Sequence, residues 1–167
     1  MRRYRACDTD DERGVALVEF ALVLPIVLVI LMGMLDFGKA FNYWLDETQL
    51  SSAGARWAAV NNWPGKVPAD GAQKLANYIQ SQADTSELLS GGTSATKARV
   101  CVSFPVNPTT GTSGKVSDPV TVTVDTTYRW LAFLGKFARL PTSTALKATS
   151  TMRLEAAWSS TSTICST

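Results

Sequence analysis

The chain of 167 residues contains no histidine. That removes at once the commonest general base and the commonest metal ligand. Cysteine is scarce: Cys7, Cys101 and Cys165 stand far apart with no CxxC, which argues against a zinc or dithiol redox site. Charge runs are missing too. Net charge is +2 and no stretch stacks five or six like charges, so nothing points to nucleic acid. Motifs that come close fail on single residues. Around Gly114-Lys115, Thr109 stands where a phosphate-binding loop needs its first glycine, and Val116 stands where it needs Ser or Thr. Pro108 spoils the glycosylation acceptor at Asn107. Without paired acids at catalytic spacing, neither an enzyme nor a cofactor is expected.

What is present is concentrated near the start. Residues 1–13, MRRYRACDTDDER, carry four basic and four acidic side chains. At Gly14 the character changes, and Val15 to Leu35 forms a block of 21 residues whose one charge is Glu19. A helix of that length reaches about 30 Å, the thickness of a bilayer core. Arg2, Arg3, Arg5 and Arg13 precede it, which favours a cytoplasmic N-terminus and an extracytoplasmic remainder. The block is too long for a secretory signal peptide, and Asp36 and Lys39 crowd the small residues Gly38 and Ala40. An uncleaved signal anchor carrying an extracellular binding domain accounts for length and orientation, but leaves Glu19 unexplained.

A carboxylate inside a membrane segment costs several kcal/mol on most scales, of order ~3 kcal/mol, and by default marks function. Glu19 lies five positions after Gly14 and directly before Phe20. A charged leader ending in glycine, four apolar residues, Glu with an aromatic, then an apolar helix resembles the class III signal of type IV pilins. The run Arg13-Gly14-Val15-Ala16-Leu17-Val18-Glu19-Phe20 up to Pro25, with Gly33, Phe37-Gly38 and Ala53-Gly54-Ala55-Arg56, is similar to TadE-like pseudopilins of tight-adherence (Tad) pilus systems.

The resemblance implies a protease substrate, cut by a prepilin peptidase between Gly14 and Val15. It also implies other pilins as partners and a place in, or at the start of, a surface pilus. Major pilins of these systems are much shorter, so the 153 residues left from 167 after removal of 14 imply a minor component. Glu19 then has three possible roles: pairing with the new α-amino group of Val15 on a neighbouring subunit, recognition by the peptidase, or reaching to headgroups. Pro25 removes a backbone donor and is expected to kink or open the helix, a defect that membrane bundles tolerate. The expected organisation is a cytoplasmic leader (1–14), a transmembrane helix (15–35), a stalk continuation (36–60) and an extracytoplasmic head (61–167).

The fold expected is α+β: a long N-terminal helix packed on a small antiparallel sheet with a second helix. Phe37, Phe41, Trp44, Leu45, Thr48, Ser52, Ala55 and Ala59 recur at helical steps as a packing stripe opposite Asp36, Lys39, Asp46 and Glu47. Asn61-Asn62-Trp63-Pro64-Gly65 ends that helix. Asp70-Gly71-Ala72-Gln73 reads as a capping box opening a second helix to about Leu89. Strand-like alternation follows over 99–104, 119–128 and 146–156. An exported head would permit a Cys101–Cys165 disulfide, although spacing alone leaves two free thiols equally open. Trp130 to Phe137 is apolar, and Trp130 and Phe133 are candidates either for the core or for an exposed interface.

Overall fold

In a computed structural model, which describes residues 9–131, 141–159 and 161–167 (side chains from residue 14), helix α1 runs from Thr9 to Val60 and continues through Pro25. The chain divides into two units, Met1–Gly38 and Lys39–Thr167. In the first, the side chains from Gly14 to Leu35 lie open, with Val29 and Gly33 alone half-covered. Among the described residues no packing covers these apolar side chains, and the length and composition of the helix fit a single-pass membrane anchor.

The second unit is α+β. After α1 come α2 (Ala72–Ser81), α3 (Ser86–Ser90), β1 (Arg99–Ser103), β2 (Pro119–Arg129), β3 (Ser143–Arg153) and β4 (Ile164–Cys165). The four strands form one antiparallel sheet in the order β3-β2-β1-β4. Strict alternation in β2 buries Val120, Val122, Val124, Thr126 and Tyr128 and turns Thr121, Thr123, Asp125 and Thr127 to the other face. The last turns of α1 lie on the buried face. Ser51 meets Ser150 of β3 through their hydroxyls at 3.1 Å, and the carbonyl of Ala58 accepts the indole N–H of Trp158 at 2.8 Å.

The face that α1 presents to the sheet differs from the stripe expected. From Lys39 onward its buried residues are Ala40, Tyr43, Asp46, Glu47, Leu50, Ser51, Gly54, Ala55, Ala58 and Ala59; of the expected stripe Ala55 and Ala59 are inside, whereas Phe41, Trp44, Leu45, Thr48 and Ser52 are exposed. Small side chains won because the helix must approach closely. A Cβ on Gly54 would stand 2.7 Å from Ile79 Cδ1 and 3.2 Å from Val122 Cγ1. Asp46 and Glu47, expected opposite the packing stripe, lie inside.

The second helix is also shorter than its pattern. It breaks after Ser81, because the amides of Asp84 and Thr85 donate to the carboxylate of Asp46 instead of continuing a ladder. The capping box does not form. Asp70 accepts from the Val67 amide and pairs with Lys74 at 2.8 Å, while Gln73 donates to the carbonyl of Cys165. Strand β3 begins at Ser143 and ends at Arg153, earlier at both ends than the alternation indicated. The two-residue β4 is too short to leave any periodicity.

Candidate functional site

The residues singled out near the N-terminus all lie on α1. Gly14, Val15, Glu19, Phe20 and Pro25 are exposed along it. Glycine in a helix interior costs about 1 kcal/mol relative to alanine. A Cβ at Gly14 would meet nothing within 4 Å, so the fold itself does not require glycine there. Glu19 makes no hydrogen bond or ion pair with another described residue, so the fold gives its carboxylate no role either. Gly54 is the contrast within the same helix, since contact with Ile79 and Val122 demands it. Both Gly14 and Glu19 cost helix or membrane stability, and among the described residues no contact requires either.

The head holds its polar groups by local clamps. The Tyr43 hydroxyl donates to Glu87 Oε2 at 2.9 Å, and the amides of Ser94 and Ala95 donate to the same oxygen at 3.1 and 2.9 Å. Burial, with the Glu87 carboxylate beside it, pushes the Tyr43 hydroxyl up to about 12. Glu47 is fully buried, and neither of its oxygens has a partner among the described residues. Burial first, then the charges of Asp125 and Asp46, pushes its carboxyl up to about 8. Asp118 organises the 107–117 loop, accepting from the Lys115 amide, Thr110 and Thr112 hydroxyls and the Asn107 amide group. Burial works to raise Asp118, but these donors outweigh it and hold the carboxyl below the usual range. Among the described residues no group of His, Cys, Asp and Glu could hold a metal ion.

Cys101 and Cys165 are bonded, directly opposite each other across β1 and β4. Trp130 packs edge-on against Tyr128 with ring centres 5.0 Å apart and donates its indole N–H to Thr144 at 2.7 Å. It therefore leans on the core cluster. Phe133 lies outside the described residues. Sequence reading missed the buried carboxylates of Glu47 and Asp118 and the half-buried one of Glu87. It also missed Trp158, which stacks near-parallel on Trp63 beneath Lys66. A single polar or aromatic residue leaves no periodic signal of its own, and only the packed partner reveals it.

No curated protein and no solved structure matches the chain. The family described as TadE-like protein matches over residues 14–56, beginning at the glycine that the fold leaves unexplained and extending past Gly54. That family is a pilus component and not a known enzyme family. Over residues 14–56 this chain is similar to TadE-like proteins, a family associated with Tad pili.

Proposed function

We propose that the chain is a minor pilin or pseudopilin, cut by a prepilin peptidase between Gly14 and Val15 and then built into a Tad-type pilus or priming its assembly. The observation that carries this reading is the pair Gly14 and Glu19, five positions apart on an exposed helix and needed by no contact among the described residues. Cleavage creates an α-amino group at Val15. Glu19 of a neighbouring subunit, offset along the filament, pairs with it, and the pair fixes axial register that an apolar seam leaves free to slide. Residues 1–14 are then the cytoplasmic leader, 15–35 the span through the lipid bilayer, 36–60 the stalk and 61–167 the head outside the cytoplasm. The Cys101–Cys165 disulfide supports an oxidising location for the head. Pro25 gives the helix a place to adapt as it leaves lipid for the filament.

Mass spectrometry of the N-terminus from the native host, with and without the prepilin peptidase, tests this. The expected mature chain starts at Val15 only when the peptidase is present. An intact Met1 or a start near Phe41 overturns it in favour of a signal-anchored extracellular binding domain.

A further inference from the structure

The two edges of the head's sheet are treated differently. On one side β4 covers β1 at Cys101 and Val102, the Ser166 amide donates to the Val100 carbonyl, and the Cys101–Cys165 disulfide makes the closure covalent. On the other side β3 is the last strand among the described residues. It pairs with β2 through all eleven of its residues without a bulge, and contains no proline. Natural edges are usually short, bulged, interrupted by proline or charged, because a long regular edge pairs with other chains. The charges within β3 are Lys147 and the terminal Arg153.

The ladder shows which groups point outward. The Trp130 amide donates to the Thr142 carbonyl at 3.0 Å, and the Leu154 amide donates to the Asp118 carbonyl at 2.9 Å. Both pairs continue the β2–β3 register at its two ends, so even-numbered residues form the hydrogen-bonded pairs. Odd-numbered residues of β3, from Ser143 to Arg153, therefore turn their N–H and C=O groups away from β2. Among the described residues no backbone group bonds to them.

We propose that this edge pairs with the same edge of a second copy of the chain, antiparallel about a two-fold axis at Ala148. The strand is self-complementary in that register. Odd faces odd, so Lys147 meets Thr149, Ala145 meets Thr151 and Ser143 meets Arg153, giving about twelve ladder bonds. No charge faces its own kind, and Asp125 already stands opposite Lys147 on β2 to balance it. On the inner face the two Ala148 residues meet at the axis, and Leu146 lies beside the small Ser150. The result is one eight-stranded sheet whose two outer edges are both closed by β4 and its disulfide.

The test uses the full chain with Cys7→Ser, purified in detergent, and depends on neither cleavage nor filament assembly. Opposed Ala148 residues would lie about 4.5–5.5 Å apart, so Ala148→Cys is expected to form an intermolecular disulfide on mild oxidation. Sedimentation is expected to show a dimer that Thr149→Lys weakens about three- to tenfold and Thr149→Glu tightens, because position 149 faces Lys147 of the other copy. Thr149→Pro removes an outward N–H without touching the β2 ladder and is expected to give monomers with an unchanged circular dichroism spectrum. A monomer at every concentration overturns the proposal. So does a dimer in which Lys and Glu at 149 act alike, since association would then run through another surface.

Discussion

Asp46 and Glu47 are consecutive on α1 and both buried, yet Asp46 accepts the amides of Asp84 and Thr85 whereas Glu47 is bonded to no described residue. One carboxylate organises the break between α2 and α3. The other gains nothing from its position that the fold displays, and its environment favours the neutral form.

A pH dependence follows from Glu47. Its folded value, about 8, lies above the ordinary 4.5. Below pH 4.5 the group is neutral whether the chain is folded or not, and its contribution is fully present. Between pH 4.5 and about 8 the folded head keeps a proton that the unfolded chain has released, so stability falls as pH rises. Glu47→Gln is expected to leave the melting temperature nearly unchanged near pH 4.5 and to raise it near pH 8.5. Thermal unfolding of the full chain across that range checks it, and parallel profiles for variant and parent would exclude the argument.

Glycines in one helix are expected to respond oppositely to substitution. Gly54→Val drives a branched side chain against Ile79 and Val122 and should cost about 1–3 kcal/mol. Gly38→Ala meets open space and should stabilise by up to about 1 kcal/mol through helix preference. Denaturant midpoints of the two variants measure the contrast.

The covalent edge has a measurable worth. The disulfide closes a separation of 64 residues, and replacing both Cys101 and Cys165 with Ser should cost about 2–4 kcal/mol. The loss should begin locally. Gln73 donates to the Cys165 carbonyl and the Thr167 amide donates to Asn77, so hydrogen exchange is expected to rise first in β4 and along the exposed side of α2. Exchange that instead rises evenly through β1 and β2 would place the effect on global unfolding.

Processing and assembly should separate at two positions. Gly14→Leu meets open space in α1, so the chain should still insert and fold while co-expressed prepilin peptidase no longer shortens it. Glu19→Ala should insert as well or better, because a carboxylate is removed from the apolar segment. Its incorporation into filaments should nevertheless fall sharply, as read by immunoblot of sheared surface pili. Normal incorporation of Glu19→Ala would remove the amine–carboxylate pairing from the reading.

Much of the architecture was legible because it is periodic. The apolar block, the alternation of Val120 to Tyr128 and the Asn61–Gly65 breaker cluster each repeat or punctuate a local rule. The stripe on α1 was misread because hydrophobicity was taken as the guide to burial. Close packing brought Gly54 and Ala58 inside beside the expected Ala55, while leaving Trp44 and Leu45 outside. Likewise α2 was drawn too long, since nothing near Ser81 announces that Asp46, many residues earlier, will claim the amides of Asp84 and Thr85.

By itself the sequence determined the membrane-length helix, the family segment beginning at Gly14 and the α+β order of elements. Each of these depends on composition and spacing within one stretch of chain. The tertiary structure alone decided which face of α1 is buried, that Cys101 meets Cys165, and that β3 rather than β1 is the open edge. Those outcomes depend on which distant segments come into contact, and on the steric and hydrogen-bonding demands that only contact imposes.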